Sequence, residues 1–449
     1  MKNVKRTLTA LLTLALIMAL CLPGCGPKDK GPLRICLDLD IRDTMVNQAT
    51  HDFEKILETL AESGGAQEFE IELVPPEGEE RMGALTRLHT EIMSGDGPDL
   101  FIINSGWQDD LVFPYPEKAA RNGLLLNLDK LMEKSQYTDW DQQVQTVLNA
   151  GRTEKGQFII PLSYQFNMSC FLKEDVTHNP STDMTWEQMA ASEDIIDLAS
   201  ISFDGGSPQK KLSIGDRTVH NTLGKLADYD KEELLFTADE VKARIHKNLE
   251  LMDLSDNESF GDTPTYYQAL VGPGFNTGVS SFYIHAADTV KEDVPLTYIP
   301  LYSKPGGVTA AVRSYAAISA GSRHKEEAFL VLDYLLGLES QQGTGFYNQF
   351  LAGEGTFLGF PMDSRLMSEE YPVSLAGGAK KWSLTDENFQ GLCAVRDAIT
   401  AVNFFDTVTF GLYNLESDCL DVHTGYTEGD VDALIDEACR VLAMSLKES

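Results

Sequence analysis

The chain has 449 residues, more than a single hydrophobic core ordinarily serves, so at least two lobes are expected. Hydrophobic residues make up 43% and charged residues 23%, a globular balance that argues against disorder. With 36 Lys and Arg against 69 Asp and Glu, the formal charge of −33 repels phosphate backbones and anionic headgroups, which excludes nucleic acid as a partner and a basic membrane-binding face.

Lys2, Lys5 and Arg6 form a basic start, and an uncharged apolar stretch from Leu8 to Leu22 follows, interrupted only by Thr9 and Thr13. It is short for a bilayer-crossing helix, which needs about 20 apolar residues, and it has the layout of an export signal. No other segment is long and apolar enough to span a bilayer. The stretch ends in Leu22-Pro23-Gly24-Cys25, a small residue before a Cys with Leu three before it. That pattern resembles the lipobox of bacterial lipoproteins, although Pro23 stands where the family usually has a small or β-branched residue. The resemblance implies a signal peptide over residues 1–24, a lipidated Cys25, and a linker over 25–32. The alternative is an ordinary signal peptide with an incidental Cys. Of seven Cys, Cys21 leaves with the leader and Cys25 is lipidated. Cys36, Cys170, Cys393, Cys419 and Cys439 remain, without CxxC or zinc spacing. Buried thiols are expected, and pairing of Cys393 with Cys419 stays open.

The body of the chain alternates strands and helices. Leu33-Arg34-Ile35-Cys36-Leu37 reads as a buried strand, followed by a helix from about Thr44 to Glu62. Phe69 to Val74 alternates apolar and acidic residues, the period of a half-exposed strand. A second helix carries Met82, Leu85, Leu88, Ile92 and Met93 at three-and-four spacing and stops at Gly95-Asp96-Gly97-Pro98, before a buried strand over Asp99–Ile103. Strands separated by helices imply βαβ units and a mostly parallel sheet. Ligands collect outside the carboxyl ends of such strands. That places Asp38, Asp40 and Arg42 after the first strand, and Asn104, Ser105 and Trp107 after the third, beside one crevice. The last helix, about Glu428 to Leu446, shows Val431, Leu434, Ile435, Ala438 and Leu442 on one face.

Gly97-Pro98-Asp99-Leu100-Phe101, after strand, helix, strand and helix, resembles the family 1 extracellular solute-binding proteins of ABC importers, the group containing maltose-binding protein. The likeness continues through Gly123-Leu124-Leu125-Leu126-Asn127-Leu128 and through Gly156 to Pro161, like the strand that crosses between lobes. It includes Lys173-Glu174-Asp175, with Leu172 where the family commonly has Asn, and Thr185-Trp186-Glu187-Gln188-Met189. It then runs through Tyr298-Ile299-Pro300-Leu301, Ser314-Tyr315-Ala316-Ala317-Ile318, and Glu326 to Leu336. Each motif is weak alone; in order they cover most of residues 33–449. The resemblance implies an α/β, two-lobed periplasmic-binding-protein-like fold of type 2, its ligand cleft between lobes joined by a hinge. The first lobe is expected over 33–158 and 308–372, and the second over 159–307 and 373–449.

Catalytic signatures are missing: no Gly-x-Ser-x-Gly, His-Glu-x-x-His, P-loop or Gly-x-Gly-x-x-Gly is present. The eight His are scattered without metal-ligand spacing, mostly as surface or helix-face residues, and no metal or cofactor is expected. Asp38, Asp40 and Asp43 suit a hard cation, but no calcium-type loop follows. Ligand contact is the better-supported role, because a sugar site needs planar polar groups for hydroxyls and aromatic rings for C–H faces. Asp40 and Arg42, then Asn104 and Trp107, lie on expected inter-lobe loops. Tyr164 and Gln165 follow the crossover strand, where the family commonly places contacts, and Tyr283 and His285 lie where it has a sugar-stacking aromatic. Arg313 stands beside the hinge, and Trp382 near the second return. Phe166, Phe282, Trp140 and Trp186 are expected to pack rather than bind.

The chain therefore reads as a lipid-anchored, extracytoplasmic, monomeric receptor, not an enzyme. It would close on a small polar solute, a mono- or oligosaccharide first, and deliver it to ABC permease subunits. A polyamine or organic anion is the first alternative, a secreted glycoside hydrolase or a surface adhesin the others.

Overall fold

The computed structural model describes residues 31–39, 45–104, 110–173, 181–192, 202–204, 207–209, 219–256, 296–342, 346–351, 359–367, 370–375, 378–383 and 385–448. The chain divides into two units, Met1–Pro32 and Leu33–Ser449. The export signal and Cys25 lie outside the described residues; the fold is that of the second unit.

Its main sheet has five strands. Strands β1 (Leu33–Asp38), β2 (Phe69–Leu73) and β3 (Leu100–Asn104) come first, and β4 (Ile159–Pro161) from mid-chain. Strand β5 (Val308–Val312) runs elsewhere, while β6 (Ser314–Ile318) returns to complete the order β2-β1-β3-β6-β4. β1 pairs in parallel with β2 and β3, starting Leu33 opposite Phe69 and Ile35 opposite Leu100. β6 is antiparallel to β3 and β4. β1 and β3 are buried almost throughout, as strands covered on both faces must be. On the edge strand β2 Glu70 is exposed, while Glu72 is half-buried and pairs with Arg87.

Helix α1 (Val46–Glu62) buries Ala49, Phe53, Leu57 and Leu60, one helical face. Helix α2 (Gly78–Ser94) ends where Gly95 adopts φ +78°. Gly95 N–H donates to Ile92 O and Asp96 N–H to Glu91 O, satisfying terminal carbonyls as a left-handed glycine allows. The expected stripe of α2 is rotated, however. Met82 and Met93 are 59% and 74% exposed, while Arg81, Leu85 and Leu88 are buried. Arg81 takes the inward position because its guanidinium meets Asp38 at the end of β1.

Further helices that shape the two cores include α3 (Pro116–Arg121), α4 (Ala238–Asp256), α5 (Lys325–Leu335), α6 (Thr407–His423) and α7 (Val431–Glu448). A large core spans the sheet, α1, α2 and α5 and continues along β5 and the strand β7 (Ile399–Phe404). A second, smaller core is helical, uniting Val241 and Ile245 of α4, Leu412 and Cys419 of α6, and Ile435, Leu442 and Leu446 of α7. The apolar face expected on the last helix is therefore the one that packs. α6 and α7 approach so closely at Gly411 that a Cβ there would lie 2.6 Å from Leu442 Cδ2.

Two segments running side by side link these regions. Ile159–Pro161 pairs with β6, Leu162 N–H donates to Ser314 O, and Gln165 bridges Ala311. The 308–318 segment thus changes partners: β5 pairs in parallel with β7, and after Arg313 β6 joins the main sheet. This is the expected return crossing into the sheet and α5. Cys36, Cys393, Cys419 and Cys439 are free thiols, so the pairing of Cys393 with Cys419 does not occur.

Candidate functional site

Because β5 and β7 are parallel, Arg313 and Phe405 both stand immediately beyond strand carboxyl ends. The Arg313 guanidinium carbon lies 3.9 Å from the Phe405 ring centroid, a cation–π contact. Asp406 caps α6, its carboxylate accepting from Thr409 N–H at 3.0 Å. The start of α6 is thereby fixed, and Phe410 and Tyr413 fall three residues apart on its first turns. Ring centroids of Phe405 lie 5.7 Å from Phe410 and 6.0 Å from Tyr413, both edge to face. Phe405, Phe410 and Tyr413 form an aromatic group separate from the two larger cores.

His220, in the short helix Val219–Thr222, completes this wall. Its ring lies 6.0 Å from Phe405 and 6.2 Å from Tyr413. It is 3% exposed, yet neither ring nitrogen has a hydrogen-bond partner among the described residues. Burial, and then the charge of Arg313, lower its pKa to about 3. The imidazole is therefore neutral at ordinary pH, with one nitrogen to donate and one to accept. A buried polar group without a partner costs roughly 1–3 kcal/mol, so one facing aromatic rings is a signal for a ligand.

The expected site residues divide accordingly. Asn104, Gln165 and Arg313 are brought together along the 311–314 segment: Gln165 exchanges backbone hydrogen bonds with Ala311, and Asn104 sits opposite Ser314. The Asn104 amide donates to Phe350 O at 2.8 Å. Strand alternation turns Tyr164 to the other face from Gln165. Tyr164 is buried with Phe166 and Phe360 at 6.3 and 5.6 Å, and burial raises its pKa. Phe166 stacks on Phe360 at 4.8 Å, a packing role as expected. Trp382 lies on the strand Gly378–Ser383, opposite Tyr371. Asp40, Arg42, Trp107, Tyr283 and His285 lie outside the described residues. Asp38 is committed elsewhere: Arg81 Nη1 and Nη2 donate to its two oxygens at 2.7 and 3.1 Å. No group of three metal-ligating side chains stands together among the described residues.

Phe405, Phe410, Tyr413 and His220 were not singled out by the sequence reading. The available signal was the order Phe404-Phe405-Asp406-Thr407, a buried strand running into a capping Asp, with two further aromatics on one helix face. His220 departs from the surface or helix-face role expected of most histidines, because its neighbours come from a segment nearly 190 residues away in sequence.

Residues 70–342, more than half of the chain, match the family of bacterial extracellular solute-binding proteins. The chain belongs to that family. This solute-binding protein has the fold of solved relatives at low identity. An extracellular solute-binding protein of family 1 from Alicyclobacillus acidocaldarius is 15% identical with a TM-score of 0.51, covering 94% of this chain and 100% of its own. A periplasmic solute-binding protein from Pectobacterium atrosepticum is 18% identical with a TM-score of 0.50, covering 93% and 99%. A periplasmic oligogalacturonide-binding protein from Yersinia enterocolitica is 14% identical with a TM-score of 0.51, covering 92% and 99%. No curated protein matches the chain. The expected fold class thus holds for this solute-binding protein, and among its described residues no helix is long and apolar enough to cross a membrane.

Proposed function

We propose that this solute-binding protein is the receptor of an ABC importer. It takes a small polar solute, a carbohydrate first, against the wall formed by His220, Arg313, Phe405, Phe410 and Tyr413. The observation that carries the reading is His220: a buried, neutral imidazole without a hydrogen-bond partner, edged by aromatic rings beyond the carboxyl ends of two parallel strands. A sugar ring supplies what that wall lacks, hydroxyls that donate and accept and a C–H face for aromatic contact. Gln165 and Asn104 complete the polar side, with Asp40, Arg42, Trp107, Tyr283, His285 and Trp382 as further contacts.

The lobes at 33–158 with 308–372 and at 159–307 with 373–449 close on the solute, which favours closure by touching both. The closed receptor presents the solute to the permease. A signal peptide over residues 1–24 exports the chain as a monomer, and lipid on Cys25 holds it at the extracytoplasmic face of the cell membrane, raising its effective concentration at the permease. Replacing Cys25 by Ala releases it from the membrane fraction; retention there defeats the tether.

Thermal melting of the lipid-free chain against mono- and oligosaccharides, galacturonate oligomers, amino acids, polyamines and organic anions tests the solute class. A solute at about 100 times its Kd stabilises a protein that binds it only when folded by about 2.7 kcal/mol, a visible rise in Tm. A rise confined to carbohydrates supports the reading. A rise with polyamines or organic anions alone replaces the substrate class, and silence across the panel counts against the receptor.

A further inference from the structure

Helix α3 carries three charges, and each meets a partner across the boundary between the two cores. Ala119 and Ala120 of α3 belong to the large core; Leu226, Ala227, Tyr229 and Leu446 belong to the helical one. Lys118, only 6% exposed, pairs with Glu232 at 2.8 Å and donates to Leu446 O at 2.8 Å, near the end of α7. Glu117 accepts from Lys225 at 2.5 Å, and the same ammonium reaches Val402 O at 3.2 Å. Arg121 pairs with Asp230. Beside them the Tyr115 and Ser445 hydroxyls lie 2.7 Å apart, and Thr407 N–H donates to Pro114 O at 3.1 Å.

Glu232 is also the one non-glycine residue among those described with positive φ, at 55°. An L-residue there bears a steric cost and holds that conformation only where its surroundings impose it. Here the turn between Ala227–Asp228 and Glu233–Leu234 delivers the carboxylate to Lys118. The residues of the proposed solute wall are covered in this same arrangement, with His220, Arg313, Phe405, Phe410 and Tyr413 each no more than 5% exposed.

We propose that α3 is a latch, its charges gripping the 225–232 segment and the end of α7 when the cleft is closed and releasing them when it opens. The proposal rests on the receptor reading, since it concerns the same closure. Isolated exposed ion pairs contribute little, but Lys118 and Glu117 are buried, and removing either partner exposes the other's charge to an apolar boundary. The latch biases closure without any contact to solute, and because Lys118 and Glu117 are buried, salt screens it less than it screens surface pairs.

Lys118→Met keeps the apolar stem and removes the charge; Glu232→Gly removes the partner and relieves the backbone. Small-angle X-ray scattering of the solute-free chain at low salt is expected to give a larger radius of gyration for both variants than for the parent. Raising salt to 0.5 M expands the parent less than either substitution does, because the pairs are buried. The exchanged pair, Lys118→Glu with Glu232→Lys, restores compactness in part, which separates a lost latch from a misfolded chain. With the solute found by melting, each single variant binds about tenfold more weakly. Radii equal to the parent at low salt overturn the latch, as does expansion that leaves affinity unchanged. A panel without any solute defeats the receptor reading, while scattering still decides whether α3 holds the two cores together.

Discussion

Two buried polar groups lie at or beyond strand ends in this molecule, and their difference separates a structural tie from the proposed site. At the end of β1, Asp38 and Arg81 answer one another in a two-pronged ion pair, and Arg81 also donates to Pro75 O and Asp110 O at 3.1 and 2.6 Å. Beyond β5 and β7, His220 has no hydrogen-bond partner among the described residues, and aromatic rings surround it. In the first arrangement both carboxylate oxygens of Asp38 and both Nη atoms of Arg81 are engaged within the protein, and only Arg81 Nε has no partner among the described residues. The second leaves two buried ring nitrogens unengaged, which is why the solute is proposed to bind there and not at the ion pair. Both involve an arginine and both are buried, so burial and charge alone do not tell them apart; satisfaction does.

The ion pair is where a substitution costs most. Arg81→Leu strands the Asp38 carboxylate and is expected to lower unfolding free energy by about 3–5 kcal/mol in urea titration. Solute affinity of the fraction that stays folded remains at the parent value, and a loss of affinity without a loss of stability would reverse the roles assigned to the two sites. Next in size, Tyr413→Ala removes a ring from the proposed solute wall and is expected to weaken binding by about 10–100-fold, read by calorimetry.

The pH dependence of stability sharpens the contrast. His220 has a pKa of about 3 in the folded chain against an ordinary 6.5, so the unfolded chain binds the extra proton between those values. Its contribution to stability is whole above pH 6.5 and is lost as pH falls towards 3. Asp406 shows the opposite sign: burial raises its pKa to about 6 from 3.8, despite the hydrogen bond from Tyr229, so the folded chain holds the extra proton. Its contribution falls as pH rises from about 4 to 6. His220→Phe is therefore expected to flatten the rise of Tm between pH 4 and 6, and Asp406→Asn to steepen it. Identical profiles for parent and His220→Phe would show that the imidazole is not held neutral. The smallest effect belongs to Met82→Ser, the neighbour of Arg81 on the exposed side of α2, which should move stability by no more than about 0.5 kcal/mol.

Much of this frame was legible in the sequence because it rests on local signals. The stretch from Leu33 through Asn104 alternates short apolar runs with helical spacing, and Gly95 stops α2 with a backbone angle few other residues take. The last helix displays its buried face outright at Ile435 and Leu442. What failed was whatever depended on a distant partner. The stripe of α2 predicts Met82 and Met93 inward, since nothing nearby in sequence reveals that Asp38 draws Arg81 into the core. The same limit hid the site. Arg313 and Gln165 were singled out because they flank recognisable crossing strands. His220, Phe405, Phe410 and Tyr413 acquire meaning only when residues around 220, 313 and 405 meet, and a helix face carrying Phe410 and Tyr413 reads in sequence as ordinary core.

The most direct test of the account is the affinity of one solute, the strongest in the melting panel, measured by calorimetry on the parent and on His220→Phe side by side. The substitution keeps the bulk and the aromatic contact and removes both ring nitrogens. A loss of about tenfold or more, with Tm of the solute-free chain at neutral pH equal to the parent or higher, is the predicted result. Unchanged affinity would contradict it and move the solute site away from the aromatic wall.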